Sequence, residues 1–157
     1  MPEDLKSTTQ NLLKLLGVTP EEIAVDIDET NSAQIKLTFS PEETGILIGR
    51  HADAISALQM ILGLIVYRQT GTWQRLTVDI GDYRAKRTAV LETTAQETAK
   101  RVKFSHEPLA LFNLNPFERR IVHMILSQDP GVVTESQGEG RNRHLIVKPA
   151  AELKDEA

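Results

Sequence analysis

The chain has 157 residues, of which 40% are hydrophobic and 25% are charged, as in globular proteins that bury a core. It contains no cysteine, which excludes disulfides, thiolate zinc sites and cysteine nucleophiles and fits a reducing compartment. The net charge of −4 is uneven, because residues 1–49 carry −6 and residues 84–148 carry +4, so a polyanionic partner would meet its cationic surface in the second half.

The first half of the chain shows six segments with the apolar spacing of helices or strands, separated by glycine, proline and other turn residues. A serine followed by proline and two acids is a favourable helix start. The segments are a helix at Leu5–Leu16, strands at Glu22–Ile27 and Ala33–Phe39, a short helix from Ser40 to Gly49, a helix through Ile55–Val66 and a strand at Leu76–Ile80. The predicted order is α-β-β-α-α-β.

The second half begins with a long polar helix, whose narrow apolar stripe suits it to lie across a small domain and to connect two modules. Strand patterns, one amphipathic helix and a glycine-rich turn follow. These segments are the helix Arg84–Lys103, a strand at Leu109–Leu114, a helix at Asn115–Ser127, and strands at Val132–Ser136 and His144–Lys148. We predict an α+β protein with modules at 1–81 and 82–150 and a disordered tail at 151–157.

No segment of the sequence predicts membrane insertion or export. The N-terminus lacks a basic stretch followed by an apolar one. The longest apolar stretch, Met60–Tyr67, is interrupted by Gly63 and is far too short to cross a bilayer. We therefore expect a cytoplasmic protein with no membrane partner.

A glycine-containing loop separates the two helices in the middle of the first module. Its residues, Gly49-Arg50-His51-Ala52, resemble the GxxG loop of a KH domain, and the order α-β-β-α-α-β resembles the type II KH topology. In that family the loop exposes backbone amides to the phosphates of a single-stranded nucleic acid, while bases lie over an apolar groove. Ala52 stands where the family usually has its second glycine, and its methyl group restricts a positive φ.

The resemblance implies RNA contacts at the loop and at two neighbouring isoleucines, which would form the groove floor. An alternative is that the KH fold is kept for packing or for pairing with another protein, and that the loop is an ordinary solvated turn. Cationic or titratable side chains at a helix N-terminus oppose the helix dipole unless an anion binds there, which favours RNA contact. The candidate residues are Ile48, Gly49, Arg50, His51, Ala52 and Ile55.

The helix of the second module contains an Arg-x-x-x-His spacing, which places Arg119 and His123 side by side on one helix face. A helical wheel puts Arg120 on the same polar arc, roughly opposite an apolar side. That apolar side is predicted to contain Phe117, Ile121, Met124 and Ile125. The spacing is also compatible with a solvated face, or with side chains that hold their own helix, with His123 bonded to a neighbouring strand.

The segment around this pair resembles an R-three-H domain, the family named for the Arg-x-x-x-His spacing. The resemblance extends over Glu118–His123, the strand Val133–Ser136, the turn Gly138–Gly140 and the basic run Arg141–His144. Such domains are associated with single-stranded nucleic acid. The resemblance implies RNA binding, with charge-assisted bonds to phosphate, by Arg119, Arg120, His123, Arg141 and Arg143.

A type II KH domain followed by an R-three-H domain resembles the bacterial Jag family, also called SpoIIIJ-associated protein. The resemblance covers nearly the whole chain. Members of that family often carry an additional N-terminal domain, which we expect to be missing here. The domain that we expect to be missing and Ala52 are the two departures from the family pattern.

These resemblances imply a protein that binds single-stranded RNA, as a post-transcriptional or cell-physiology regulator in bacteria, with no cofactor, metal or catalytic residue. The alternative is an adaptor whose KH fold pairs with another KH protein or with itself, while only the R-three-H module contacts RNA. An enzyme is disfavoured, because His123, Glu118 and Glu135 form no convergent set with metal-ligand or Walker-type spacing. Seven aromatic residues without an RNP-like pattern favour phosphate and groove contacts over base stacking.

Overall fold

The computed structural model describes residues 2–150, so the predicted tail at 151–157 lies outside the described residues. The described part of the chain forms two compact units, divided between Arg84 and Ala85, whereas the predicted first module ends at residue 81. Each unit has a three-stranded sheet and a buried apolar cluster of its own. Helices and strands are mixed in both units, which confirms the predicted α+β class.

The first unit follows the predicted order of helices and strands. Its elements are α1 (Pro2–Leu15), β1 (Glu22–Ile27), β2 (Ala33–Thr38), α2 (Pro41–Ile48), α3 (Asp53–Thr70) and β3 (Leu76–Ile80). The sheet order is β1-β2-β3, with β2 antiparallel to β1 and parallel to β3. Because parallel strands need a crossover, α2 and α3 form that connection, and β3 is left at an edge of the sheet.

One face of this sheet forms the core of the first unit. Residues on β2 alternate between buried and exposed, so that Ala33, Ile35 and Leu37 share the buried face. Leu13 of α1 and Leu62 of α3 are fully buried in the same cluster. The apolar residues spaced three or four apart in α1 and α3, which predict these helices, thus lie on the helix faces that pack on the sheet.

The second unit contains most of the long connecting helix, one further helix and three strands. Its elements are α4 (Tyr83–Ser105, of which Ala85 onward belongs to this unit), β4 (Leu109–Leu111), α5 (Pro116–Leu126), β5 (Val132–Gln137) and β6 (His144–Pro149). All strand pairs are antiparallel, and β6 lies between β4 and β5. The apolar stripe predicted on α4 is buried, together with Thr98, and consists of Leu91, Ala95, Ala99 and Val102.

Two details of the second unit differ from the sequence prediction. The strand predicted at Leu109–Leu114 ends at Leu111, and Asn113 has a φ of 58°, a left-handed conformation that strands do not adopt. On α5 the buried residues are Glu118, Val122 and Leu126, whereas the predicted apolar side includes the exposed Phe117 and Met124. The helical wheel predicts the wrong buried face because it assigns the charged Glu118 to the solvent side, whereas Glu118 is buried.

Within residues 2–150, no helix combines the length and the apolar character that a membrane crossing would require.

Candidate nucleic-acid interface

The loop between α2 and α3 is a tight turn built from left-handed backbone conformations. Gly49 ends α2 with a φ of 69°, and Arg50–Ala52 form one 3-10 turn in which His51 and Ala52 have φ values of 54° and 62°. α3 then begins at Asp53, and Ala52 provides no capping side chain. The first-turn N–H groups of α3 are thus left without a side-chain cap at their N-cap residue, as a phosphate-binding helix end requires.

The two ends of this loop differ in the side chains that they tolerate. A Cβ atom at Gly49 would lie 2.9 Å from the Cβ of Ala54 and 3.0 Å from its backbone nitrogen, closer than ordinary packing allows. The fold therefore requires Gly49, and Gly49→Asp would disturb the turn itself as well as any ligand. Ala52 holds its left-handed conformation with a methyl group in place, which costs about 1 kcal/mol relative to glycine.

The two side chains inside the loop differ in exposure. Arg50 is exposed, and its side chain forms no hydrogen bond or ion pair within residues 2–150. His51 is half-buried. Arg50 is therefore the loop side chain that can turn toward an anion without giving up an internal contact.

The apolar residues predicted to form the groove floor belong mostly to the core. Ile55 is 1% exposed and lies inside the apolar cluster of the first unit, so its assignment to the groove floor is wrong. Ile48 is half-buried and packs against the same cluster. Ile46, in contrast, is 79% exposed on α2. Helical spacing predicts that these residues share faces, but only the position of the sheet decides which face is covered.

A cleft of about 470 Å³, which the sequence did not predict, lies between α3 and the free edge of β3. Its wall on α3 includes Met60 and Gly63, and the indole of Trp73 lies where a side chain at Gly63 would be, 3.6 Å from an ideal Cβ position. The rings of Trp73 and Tyr67 are 5.9 Å apart. Finding this cleft requires knowing that β3 is the edge strand, which follows from the pairing of β2 and not from local sequence.

The backbone of β3 at this edge is already bonded by side chains of the first unit. Gln59 Oε1 accepts from the N–H of Val78 at 3.0 Å, and Arg84 Nε donates to the carbonyl oxygen of Val78 at 3.3 Å. Arg84 Nη2 also donates to Gln59 Oε1 at 3.3 Å. The edge groups of Val78, which a base or an added strand would otherwise use, are therefore occupied.

The second unit contains a cleft of about 480 Å³ that brings together four cationic or titratable side chains. Arg119, Arg120 and His123 come from α5, and Arg143 comes from the turn that precedes β6. Arg141, the fifth candidate of this module, is exposed in the 3-10 turn Gly140–Asn142 and does not line the cleft. The remaining lining residues are Pro116, Thr134, Ser136 and Leu145.

Two of these four side chains also hold the fold of the second unit. Arg119 Nη1 donates to the carbonyl oxygen of Leu114 at 2.7 Å, just before α5 begins. His123 Nδ1 shares a hydrogen bond with Thr134 Oγ1 on β5, the strand contact that the sequence left open. Replacing Arg119 and His123 together would thus remove two internal bonds, each worth about 1 kcal/mol, so such a variant tests stability as well as binding.

The other two side chains are less engaged. Arg143 Nε donates to Ser136 Oγ at 3.2 Å, which directs the guanidinium along the cleft and leaves its other nitrogens for a ligand. Arg120 is exposed, and its side chain has no hydrogen-bond or ion-pair partner in the described range, residues 2–150. Arg120 is therefore the cleft residue whose role is most separable from folding.

Glu118, next to Arg119, is a buried carboxylate with a structural role. It accepts from the N–H of Asn115 at 2.9 Å, while the Asn115 side chain accepts from the N–H of Glu118 at 2.8 Å, which forms a capping box at the start of α5. Its second oxygen accepts from Arg87 Nε of α4 at 2.6 Å. The Asn115-Pro116 start with an acid three residues after the asparagine is a sequence signal for this cap, although not for the ion pair.

Two further ion pairs lie among residues that do not line the cleft. The Lys103 ammonium bonds to Asp129 at 2.6 Å and, with the N–H of Gly131, holds the pKa of that carboxyl below its usual range. Lys148 bonds to Glu135 at 2.8 Å and lowers the pKa of that exposed carboxyl. Within residues 2–150, no group of three or more His, Asp or Glu side chains could hold a metal ion.

Comparison with protein families finds two matches that together cover most of the chain. The family model described as the KhpA/KhpB, KH domain matches residues 6–80. The model described as the R-three-H domain matches residues 89–149. The first match contains the loop between α2 and α3, and the second contains the cationic cleft of α5 and Arg143.

Several curated bacterial proteins are similar to this chain, and each is named RNA-binding protein KhpB. The protein of Clostridium symbiosum is 35% identical over 126 residues, 80% of this chain and 56% of the relative. That of Lactiplantibacillus plantarum is 31% identical over 136 residues, 87% of this chain and 41% of the relative. That of Bacillus subtilis is 31% identical over 115 residues, 72% of this chain and 55% of the relative.

The chain thus spans about half the length of the curated relatives that it matches. The matched part contains both domains in the same order as the two folded units. With a KhpA/KhpB-type KH domain followed by an R-three-H domain, the chain belongs to the Jag family, the family of the KhpB proteins.

Proposed function

We propose that this protein binds single-stranded RNA, with the cationic cleft of the second unit as the main phosphate site and the loop of the first unit as another. The observation that carries the proposal is the convergence of Arg119, Arg120, His123 and Arg143 in one cleft. The relatives named RNA-binding protein KhpB, which match across both domains, support it. An RNA ligand is also compatible with the cytoplasmic location expected from the sequence.

The cleft suits a phosphodiester because its cations differ in what they contribute. Arg119 and His123 are fixed by bonds to Leu114 and Thr134, so Arg119 presents a preorganised charge and the His123 ring has a preorganised position. Arg120 can move onto the ligand, and a guanidinium can hold phosphate through two parallel hydrogen bonds. A preorganised cation loses little side-chain entropy on binding, whereas a mobile one adapts to the position of the phosphate.

The loop of the first unit would contact the RNA mainly through its backbone. Because Ala52 provides no capping side chain, the first-turn N–H groups of α3 can donate to a phosphate, and Arg50 adds one exposed cation in the same loop. The acidic character of residues 1–49 opposes this contact, so we expect the loop to contribute less affinity than the cleft. Single strands are favoured over duplexes, because a loop and cleft of this kind take a flexible backbone with splayed bases.

The primary test is the salt dependence of RNA binding by the full chain. We expect a mixed-sequence single-stranded RNA to bind more tightly than a duplex of equal length, with affinity that falls as salt rises. Fluorescence anisotropy of labelled oligonucleotides over a salt series measures both effects. Absence of binding at low salt, or a preference for the duplex, would contradict the proposal.

A charge reversal at Arg120 tests the cleft directly. Arg120→Glu should weaken RNA binding by about tenfold or more and reduce the salt slope by about 0.7 for the lost contact to a single strand. The matched control is Arg101→Glu, since Arg101 is exposed on α4 of the same unit and does not line the cleft. Equal losses in the two variants would mean that net charge, and not the cleft, governs binding.

A second candidate function is that of an adaptor whose KH fold pairs with another KH protein or with a second copy. The observation that favours it is a set of exposed apolar side chains on α3 and just after it: Met60, Ile61, Leu64, Tyr67 and Trp73. Exposed apolar surface of this kind often marks an interface between proteins. Light scattering of the purified chain and of Leu64→Glu tests self-pairing: a dimer that becomes a monomer supports it, and a monomer in both cases excludes it.

A further inference from the structure

The second sheet has one face turned away from the helices. On β6, Leu145 and Val147 are buried, while His144 and Lys148 lie on the opposite face and are only half-buried. In the β4–β6 register Leu111 pairs with Leu145, so the next residue of the chain, Phe112, stands beside His144. The sequence could not reveal this neighbourhood, because it depends on a three-residue strand pairing with a strand more than thirty residues away.

Phe112 and His144 form a stacked pair on that face. Their ring centroids are 4.5 Å apart and the ring planes meet at 29°. His144 Nδ1 donates to the carbonyl oxygen of Asn142 at 2.8 Å, which fixes the orientation of the imidazole. Phe112 nevertheless remains 59% exposed. Much of the Phe112 side chain is therefore accessible to a ligand despite the stacked imidazole.

The charge around the pair suits a polyanion rather than an apolar partner. Arg143 directly precedes His144 in the chain, and Arg141, three residues before His144, is exposed. Farther along the same face, Lys148 and Glu135 form an ion pair and compensate each other. The local excess of charge is therefore cationic, as expected beside a nucleic-acid backbone and unlike the surround of a purely apolar protein contact.

The stacked pair also adjoins the cationic cleft. His144 lies between Arg143 and Leu145, both of which line the cleft, and successive Cα atoms are only about 3.8 Å apart. The cleft and the pair thus occupy opposite sides of the same end of β6. A single strand with a phosphate at Arg143 needs only to pass this strand end for its next base to reach Phe112.

We propose that Phe112, backed by His144, is a stacking site for an unpaired nucleobase of the RNA strand whose phosphate occupies the cleft. This inference rests on the proposed RNA binding and adds to it a contact between the open sheet face and a nucleobase. Every base has an aromatic face, so the site adds affinity for single strands with little sequence selectivity. A duplex would gain nothing from it, since its bases already stack on one another.

The test separates base contacts from phosphate contacts. The full chain is titrated with a short single-stranded oligonucleotide and with a version of identical length in which internal bases are replaced by abasic sites. Wild type should bind the base-containing strand about fivefold to tenfold more tightly. Phe112→Ala should lose that preference while it binds the abasic strand as wild type does, because the cleft is untouched.

Matched variants keep the result interpretable. Phe112→Tyr retains the ring and should retain the preference, whereas Phe112→Ile retains apolar bulk without a ring and should lose it. Phe104→Ala is the control for removal of an exposed phenylalanine, since Phe104 is 90% exposed on α4 and should not affect binding. Thermal melts establish that each variant is folded. We expect all of them to fold, because Phe112 is exposed and its replacement leaves no cavity in the core.

The outcomes distinguish the two proposals. If wild type binds neither strand, RNA binding itself fails and the stacking site fails with it. If wild type binds both strands and Phe112→Ala keeps the preference for bases, the stacking site is refuted while RNA binding stands. If Phe112→Ile keeps the preference, the site is a generic apolar contact and the stacking role is likewise refuted.

Discussion

The two candidate sites differ in the groups that would contact a ligand: backbone groups in the first unit and side chains in the second. The loop of the first unit is a backbone site, in which Gly49 and the helix end give the geometry and Arg50 is the exposed side-chain cation. The cleft of the second unit is a side-chain site, in which Arg119, Arg120 and Arg143 supply the charge. A backbone site is lost when its turn is disturbed, whereas a side-chain site can be weakened one charge at a time.

The net charge around the two sites also favours the cleft over the loop as a site for a polyanion. Residues 1–49 carry a net charge of −6, while residues 84–148 carry +4. We therefore expect an RNA strand to be attracted to the second unit at long range and to approach the loop against local repulsion. Salt should weaken the cleft contacts and, by screening the repulsion, affect the loop less.

The largest expected effect comes from removing the buried carboxylate that ties α5 to α4. Glu118→Ala leaves Arg87 without this partner and removes the bond to the N–H of Asn115, while the Asn115 side chain keeps its bond to the N–H of residue 118. The free energy of unfolding of the second unit should fall by about 3 kcal/mol or more, mainly because the buried ion pair is broken. The exposed Glu97 of α4 provides the control, Glu97→Ala, which should change stability by less than about 0.5 kcal/mol.

Urea denaturation followed by two signals measures this effect unit by unit. Trp73 is the only tryptophan and lies in the first unit, so its fluorescence reports that unit, while far-UV circular dichroism reports both. In Glu118→Ala the dichroism should show an early transition that the fluorescence does not. A single coincident transition would show that the units unfold together, and RNA binding that survives the early transition would belong to the loop.

The next effect sharpens the contrast between the sites through charge. Arg120→Glu should weaken RNA binding more than Arg50→Glu does, and the double variant should show the product of the two losses if the sites act independently. Arg68→Glu, an exposed position near the end of α3, is the control for Arg50→Glu. A larger loss at Arg50 than at Arg120 would reverse the proposed order of the sites.

A smaller effect concerns the strain in the loop. Ala52→Gly should raise the free energy of unfolding of the first unit by up to about 1 kcal/mol, because glycine adopts the φ of 62° without a steric penalty. Ala57→Gly, on the exposed side of α3, should instead lower it by about 1 kcal/mol. Trp73 fluorescence in urea measures the stability of both variants. If Ala52→Gly does not stabilise the first unit, the methyl group of Ala52 is not strained.

The same variant also addresses binding. Ala52→Gly should preserve or strengthen RNA affinity if phosphate approaches the loop, since the methyl group is removed from the N-cap of α3. An unchanged affinity, together with no effect of Arg50→Glu, would leave the cleft as the sole RNA site and favour the adaptor role for the first unit.

The smallest effect is a pH dependence in the second unit. The bonds from Lys103 and Gly131 lower the pKa of Asp129 in the folded state, so this carboxylate stabilises the fold above its unfolded pKa of about 4 and loses that contribution as the pH falls through the folded value. Asp129→Asn should therefore flatten the decline of stability with acid, measured by thermal melts, and Glu92→Gln on exposed α4 should not.

Local patterns predicted the elements well, and tertiary placement explains what they missed. The bounds of β1 agree with the alternation of apolar residues, and the buried stripe of α4 is the one its spacing indicates. Ile55 was misplaced because spacing groups residues into faces without saying which face the sheet covers. The buried face of α5 was misjudged because Glu118 is neutralised by Arg87, a partner 31 residues away.

The candidate site likewise contains features that local sequence predicts and features that depend on tertiary contacts. Arg119 and His123 could be predicted from a spacing of four, and Arg143 from a basic run, because these signals are local. That Arg143 lies in the cleft and Arg141 outside it depends on the pairing of β5 with β6. The stacking of Phe112 on His144 and the bonding of Val78 by Gln59 depend on contacts across strands that no local pattern records.

The bonded edge of β3 has a consequence for the synthesis of this protein. An unguarded edge strand is a template for pairing with other chains and hence for aggregation. The carbonyl oxygen of Val78 is covered by Arg84, which leaves the ribosome six residues later, at the start of α4. In a nascent first unit, Gln59 can bond the N–H of Val78 as soon as β3 forms, but the carbonyl oxygen is covered only when translation has passed into the connecting helix. The helix that leads to the second unit therefore also completes the protection of the first.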